Sequence, residues 1–473
     1  MQQLADIAHF DANRKTVCVQ GLGFVGSAMA LAVAAANADD GKPLYNVIGI
    51  DIANEAGRAK AEALNSGVFP FENSDENLNA ALTRVHDQGN LWCCTDNQYF
   101  QYADVVIVDI NLDVHYDKDM KPFLDLSAFK SAIRSIGENI SPDTLVVVET
   151  TVPPGTCEKV VLPILQQEFK KRNLDPSQIF LAHSYERVMP GKDYFDSIVN
   201  FWRVYSGIDE RSADKCEAFL KSVIKTDTYP LTRLQKTTST EIAKVLENSY
   251  RATTIAFMEE WGRFAEAVGV DLFEVVDAIR MRPTHSNMRQ PGFGVGGYCL
   301  TKDPYFAMLA SKDIFEIDNL DFPFCVAAVE TNRKMPLVSL DKIIEVFDGD
   351  LKGKKLLVCG VSYRQDVGDT RYSPTETFAR AAMDLGADLD YWDPLVSHWD
   401  EMDVDVRADR PSDIDKYDAI IFTVQHPEYM EIDFKEWLGT GDRIVFDANR
   451  VLTDEQRAAL EQLDNIKFSS IGR

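Results

Sequence analysis

Thr16-Val-Cys-Val-Gln20, Gly21-Leu-Gly-Phe-Val-Gly26, Ser27-Ala-Met-Ala-Leu-Ala-Val-Ala-Ala-Ala36 and Tyr45-Asn-Val-Ile-Gly-Ile-Asp51 stand in succession near the start of the chain. The first is a β-branched run and reads as a strand, the second has the spacing GxGxxG, the third is alanine-rich and helical, and the fourth is a second strand ending in an acid. GxGxxG alone is a weak signal. Between a strand and a helix, with Asp51 about 25 residues beyond the last glycine, it becomes a dinucleotide fingerprint. Gly21 makes the turn, Gly23 admits a pyrophosphate to the helix N-terminus, and Gly26 lets helix and strand pack closely. A carboxylate ending the second strand accepts hydrogen bonds from a ribose diol and repels a 2′-phosphate, which favours NAD over NADP.

The alternation continues outward from this unit. Strands are expected at 103–109, 144–149 and 179–183, with a helix within 126–140, and the near-continuous apolar runs predict a parallel sheet buried on both faces. Thr150-Thr-Val-Pro-Pro-Gly-Thr156 and Ser184-Tyr-Glu-Arg-Val-Met-Pro-Gly191 each leave the carboxyl end of a strand, where ligands bind in open α/β sheets. Residues 239–268 read as one long helix capped by Ser239 or Thr240 and stopped by Gly269, and 313–346 as largely helical. A second set of strands at 355–360, 387–392, 417–423 and 443–447, with a helix at 373–385, predicts another doubly wound domain without GxGxxG. The expected fold class is α/β, two doubly wound, Rossmann-like domains joined by a central long-helix segment, divided at 1–235, 236–334 and 335–473.

The chain has 473 residues and a formal net charge of −26, which argues against nucleic-acid or anionic-membrane partners and asks any nucleotide ligand to find a local cationic pocket. No apolar run approaches the length of a membrane span, and the polar first fifteen residues, with Asp6 and Asp11, lack the apolar core of a signal peptide. Eight scattered cysteines and seven dispersed histidines form no CxxC and no metal motif, so reduced thiols in a cytoplasmic protein and no metal are expected.

Pro291-Gly-Phe-Gly-Val-Gly-Gly-Tyr-Cys-Leu-Thr-Lys-Asp303 places Gly292, Gly294, Gly296 and Gly297 just before Cys299. A lone cysteine is usually a buried hydrophobe. Glycines that let backbone approach closely, followed by Lys302 and Asp303, read instead as a loop presenting a thiol whose thiolate form a nearby cation would favour. On the long helix, Lys244 and Asn248 are spaced i,i+4 and share a face. Ile242, Val245, Leu246, Ile255, Ala256 and Phe257 are read as its apolar surface, with Lys244 adjoining it.

Taken together, these motifs resemble the UDP-glucose/GDP-mannose dehydrogenase family, the nucleotide-sugar 6-dehydrogenases, over nearly the whole chain. Six blocks in family order carry the resemblance: the Gly21 fingerprint, Thr150-Thr-Val-Pro-Pro-Gly155, Glu186-Arg-Val-Met-Pro-Gly191, Lys244 with Asn248, the 292–303 loop, and Gly368-Asp-Thr-Arg-Tyr-Ser-Pro374. The resemblance implies an NAD-binding domain, a central helical segment that forms a homodimer, and a C-terminal domain for the nucleotide of the sugar donor. It implies Cys299 as nucleophile, Lys244, Asn248 and Asp303 as the polar group around the sugar C6 oxygen, Glu186 as acid/base, and Thr151 as the residue holding the catalytic water and touching the cofactor. Gly21, Gly23, Phe24, Val25, Gly26 and Asp51 would bind NAD. Glu186, Arg187, Lys244, Asn248, Arg282, Gly296, Tyr363 and Arg364 would bind the sugar nucleotide. Tyr298, Thr301 and Arg364 depart from residues common in the family, and Asp109-Ile-Asn-Leu112 stands where the family has a Pro-Thr-Pro turn.

The activity this implies is a four-electron oxidation of an alcohol to a carboxylate at one carbon, on a UDP-N-acetylhexosamine, with UDP-glucose as the alternative substrate. Two other readings compete. A non-catalytic NAD-binding regulator should have lost the thiol or its polar neighbours, and a hydroxy-acid dehydrogenase leaves the cysteine loop and the second domain unexplained.

Overall fold

The computed structural model describes residues 10–71 and 75–473, so Asp6 of the N-terminal stretch lies outside the described residues. The chain divides into two compact units, Met1–Leu246 with Tyr305–Asp321, and Glu247–Pro304 with Phe322–Arg473.

The first unit is built on an eight-stranded sheet. From one edge to the other its strands are Thr232–Arg233, Val204–Gly207, Phe180–His183, Leu145–Val148, Val105–Val108, Lys15–Gln20, Tyr45–Ile50 and Leu91–Cys94. All neighbours are parallel except Val204–Gly207 against Phe180–His183. Asp104 excepted, the strands read from sequence in this unit are buried because side chains go alternately to two cores. Val17 and Val19 join the helix Phe24–Ala34 on one face, while Cys18, Val106 and Val108 meet Phe129 and Ile133 on the other. Gln20 pairs with Val108, so Gly21 and Asp109 leave the sheet side by side, at the point where strand order reverses.

In the second unit five parallel strands run in the order Asp388–Trp392, Lys355–Cys359, Ala419–Phe422, Arg443–Asp447, Ile466–Ser470. It reproduces the first unit's opening turn without GxGxxG. Gly360 has φ +106°, and a Cβ there would stand 2.8 Å from the Val424 amide nitrogen. Asp393 ends the next strand as Asp51 does, but it is wholly buried and spent on the amides of Val361 and Ser362 and on His426.

The long helix is one element, Thr237–Val268, ended by Gly269 at φ +70°. It starts two residues before the expected cap at Ser239. Thr240 cannot serve as cap because its hydroxyl is turned into the core, donating to the Thr237 carbonyl at 2.8 Å and meeting His183 and Ser206 at 2.7 and 2.8 Å. The largely helical stretch expected over 313–346 is the helix Pro323–Val346, and a separate helix, Pro304–Asp313, ends where it was expected to begin. Glu316 sits at φ +58° in the link, and Pro323 disfavours helical backbone at the residue before it while being well placed as the first residue of the next helix. Of the residues read as apolar surface on the long helix, Val245 and Ala256 are buried, whereas Ile242, Leu246 and Phe257 are exposed.

Candidate active site

The glycine turn has the geometry its spacing predicts. Gly21 lies at φ +95°, and a Cβ there would stand 2.4 Å from the Asp109 carbonyl oxygen; one on Gly26 would stand 1.8 Å from the Gly21 carbonyl oxygen. Gly23 is different. It is the N-cap of the helix Phe24–Ala34, no side chain caps that helix end, and nothing lies within 4 Å of a Cβ built on it. Uncapped amides over open space suit the pyrophosphate of a dinucleotide. Phe24 stacks on Phe71 at 4.0 Å, and Phe24 and Val25 are half-buried beside the turn. Asp51, 7% exposed, accepts from the amides of Leu22 and Ile52 at 3.1 and 2.7 Å and pairs with Lys60 at 2.5 Å. The carboxylate is thereby fixed at the strand end where a ribose diol would reach it.

These contacts give a discriminating expectation for Gly23→Ala. Because alanine fits the free protein there, and Ala in place of Gly at an N-cap costs about 1 kcal/mol, the melting temperature should fall by no more than about a few degrees. NAD affinity should fall at least about tenfold, since the methyl takes the space of the pyrophosphate. Calorimetric titration beside a melting curve checks it, and a variant that binds NAD normally would show that the ligand does not approach Gly23.

Thr151 is half-buried just past the strand Leu145–Val148, in a turn held by a residue the sequence reading missed. The Glu241 carboxylate accepts from the amides of Gly155 and Cys157 at 2.5 and 2.8 Å, and burial pushes its carboxyl up to about 7. Only its place one turn before Lys244 on the helix could have drawn attention to it. Lys244, 6% exposed, donates to the Glu186 carbonyl at 2.9 Å and faces its carboxylate at 3.4 Å. The other Glu186 oxygen accepts from the Val188 amide. Next to this pair His183 stays neutral, since burial and the Lys244 charge hold its imidazole down at about 3. Arg187 is committed within the same unit, to the Trp202 carbonyl at 2.9 Å and the Tyr185 hydroxyl at 3.3 Å.

The second unit holds the cysteine loop. Its glycines are required by contact: a Cβ on Gly292 would stand 2.6 Å from the Asn449 side chain, on Gly296 2.4 Å from the Tyr372 carbonyl oxygen, and on Gly297 2.9 Å from the Tyr363 ring. Cys299 emerges exposed. The Asp303 amide donates to the Cys299 carbonyl at 2.9 Å, and its wholly buried carboxylate takes Asn248 at 2.7 Å and Lys302 at 2.9 Å. Lys302 is thus engaged by Asp303, and Asn248, Asp303 and the thiol loop form one constellation. Tyr363 lies against Gly297; Arg364 and Arg282 are exposed. Two further cations were not singled out from sequence: burial first, then repulsion from Arg289 and Arg364, lowers the pKa of Arg251, and Cys299 offsets this. Arg251, Arg289 and Arg364 thus bring positive charge together near the thiol, the kind of local charge an acidic chain would need to hold a nucleotide.

None of the eight cysteines is in a disulfide, and no group of residues suited to a metal ion occurs among the described residues. Among those residues no helix is long and apolar enough to cross a membrane.

Residues 15–224 match the NAD binding domain of the UDP-glucose/GDP-mannose dehydrogenase family, residues 238–334 its central domain, and residues 357–454 its UDP binding domain. The chain is 28% identical over 446 residues to a UDP-N-acetyl-D-mannosamine dehydrogenase of Methanocaldococcus jannaschii, covering 93% of each chain. It is 24% identical over 409 residues to a UDP-glucose 6-dehydrogenase of Rickettsia conorii, covering 84% of this chain and 88% of that one. The solved structure of a UDP-D-ManNAc dehydrogenase from Pyrococcus horikoshii superposes with a TM-score of 0.78 at 26% identity, covering 97% of this chain and 99% of that one. With three consecutive domain models of one family matched in order, the chain belongs to the UDP-glucose/GDP-mannose dehydrogenase family and is an NAD-dependent dehydrogenase of nucleotide sugars.

Proposed function

We propose that the chain oxidises the C6 primary alcohol of a UDP-N-acetylhexosamine to a carboxylate, with Cys299 carrying the carbon between two oxidations. The observation that carries this reading is the exposed thiol of Cys299, on a loop shaped by its glycines and bonded to the buried Asp303. A dehydrogenase stopping at the aldehyde needs a base and a cofactor but no thiol.

NAD, when bound, accepts one hydride in each oxidation. The first turns alcohol into aldehyde, with the hydroxyl proton leaving to a base. The Cys299 thiolate adds to the aldehyde, and the thiohemiacetal loses the second hydride to become a thioester. Water then hydrolyses the thioester, releasing the acid and the thiol. Lys244 and Asn248 stabilise the oxyanions formed on the way, Glu186 with Thr151 serves the water, and Asp303 relays the proton. The Glu186 carboxylate is oriented for this by Lys244 and the Val188 amide. Residues 1–235 hold the cofactor, 236–334 carry the thiol and the dimer contact, and 335–473 take the nucleotide through Tyr363 and Arg364, with Arg187 and Gly296 shaping the sugar pocket.

The named relatives favour an N-acetylhexosamine over glucose, through UDP-N-acetyl-D-mannosamine dehydrogenases in two archaea. An NADH-release assay over UDP-N-acetylmannosamine, UDP-N-acetylglucosamine, UDP-glucose and GDP-mannose decides it. UDP-N-acetylmannosamine should lead by at least about tenfold in kcat/KM, roughly the net worth of one hydrogen bond to its acetamido group. UDP-glucose in the lead would move the chain to the alternative, and release from none would favour the non-catalytic regulator.

A homodimer is part of this proposal. Tyr250, Phe257, Trp261, Phe264 and Val268 are each 47% or more exposed at spacings of three, four and seven on the long helix, so they form one apolar stripe. A second copy would cover it, with Arg282 reaching the neighbour's substrate. Light scattering should give twice the 53.1 kDa chain mass, and Trp261→Glu with Phe264→Glu should give the single mass. A wild-type monomer at micromolar concentration would contradict the expectation. None of the cysteines being in a disulfide suits the reducing cytoplasm, where we place the protein.

A further inference from the structure

Asp109 has no part in the chemistry above. It leaves the strand Val105–Val108 beside Gly21, is 7% exposed, and neither of its carboxylate oxygens receives a hydrogen bond. The glycine turn is laid directly on it. A Cβ on Gly21 would stand 2.4 Å from its carbonyl oxygen, and one on Gly26 3.2 Å from its own Cβ. At the next strand end stands Glu149, 1% exposed, with its carboxyl within hydrogen-bond reach of that of Asp109. One Glu149 oxygen takes the buried Arg203; the other takes no donor.

The groups facing this pair can be counted. Beyond the following strand end is Glu186, and the long helix brings Lys244 to it. His183 is neutral, and Cys216, from the helix Glu210–Val223, is kept a thiol by burial. The cluster therefore sets three carboxyls, Asp109, Glu149 and Glu186, against two cations, Arg203 and Lys244. A third buried anion would have no counter-ion, so one carboxyl is protonated. Glu186 has Lys244 and an amide, and Glu149 has Arg203. Asp109 has neither. Burial, and then the charges of Glu149 and Glu186, push its carboxyl well above the usual carboxylate range.

We propose that Asp109 and Glu149 share one proton, and that this proton is a condition for cofactor binding because it keeps the floor of the glycine turn uncharged. An ionised Asp109 would compete with the cofactor's pyrophosphate for the same helix N-terminus. Cofactor binding and retention of the proton are then linked, so affinity falls as pH rises through the ionisation of the pair.

The test reads binding of NADH, by fluorescence titration from pH 6.5 to 9.5, and needs no turnover. In the wild type the Kd should rise at least about fivefold over that range, within the tenfold-per-unit limit of one linked proton. Asp109→Asn, neutral and of the same shape, should bind within about twofold of the wild type at pH 6.5 and lose most of the pH dependence. A flat wild-type profile, or a D109N profile parallel to the wild type, would overturn the proposal. If D109N does not fold, Asp109→Ser carries the same expectations. Infrared spectra in D2O add an independent readout: because Glu241 also titrates near pH 7, the wild-type-minus-variant difference spectrum is taken, and it should carry the carbonyl band of one protonated carboxyl. A difference spectrum without that band would assign the proton elsewhere.

Discussion

Cys299→Ala should form no carboxylate. Wild-type protein should release two NADH per sugar, whereas the variant should lose turnover to the acid by at least about a thousandfold and retain slow, reversible alcohol oxidation. The expectation is clean because Cys299 is exposed, so removing its sulfur leaves no cavity, while the loop's shape rests on Gly292, Gly296 and Gly297 against Asn449, Tyr372 and Tyr363. Asp303 keeps its bond to the residue-299 carbonyl and its own partners, Asn248 and Lys302. A melting curve superimposable on the wild type would therefore accompany the loss. Product chromatography together with NADH absorbance measures it, and a variant that still made the acid would remove the thiol from the mechanism.

Glu186→Gln should fail later in the cycle. The amide keeps the shape and can still accept from the Val188 amide, and the Glu186 backbone carbonyl continues to hold Lys244 at 2.9 Å. Losing one partner of a buried ion pair can cost about 3–5 kcal/mol, and that retained backbone contact is what should limit the damage to folding. Steady turnover should drop about a thousandfold, within the range for losing a general base. Both hydride transfers precede hydrolysis, so the first turnover should still give a burst of NADH.

Much of this was legible in the order of residues, for definite reasons. Strands buried on both faces must be apolar throughout, and so Thr16-Val-Cys-Val-Gln20 and the runs at 103–109 and 144–149 announce themselves; the strand Leu91–Cys94, half-covered at a sheet edge, does not. The glycine turn was legible because only glycine tolerates φ +95° against the Asp109 carbonyl. Periodicity identified Ile242, Leu246 and Phe257 as apolar but could not say that they are exposed. Pairings between distant residues have no local signal: the family resemblance alone grouped Asn248 with Asp303, and nothing grouped Arg203 with Glu149. Asn248 meets Asp303 across 55 positions, and Arg203 meets Glu149 across 54, distances at which no local pattern operates. Asp109 drew notice only as a departure from the family's turn; its buried setting beside Glu149 comes from the register of the two strands.

An acyl group carried on Cys299 should be visible by intact-protein mass spectrometry of Glu186→Gln. The variant is mixed with UDP-N-acetylmannosamine and NAD, quenched in acid within the burst, and weighed. The protein should gain a mass equal to the acyl-sugar nucleotide, in proportion to the NADH burst, and should gain none when Cys299→Ala is combined with the first change. A burst of two NADH per site with no added mass on the protein would contradict an acyl group on Cys299.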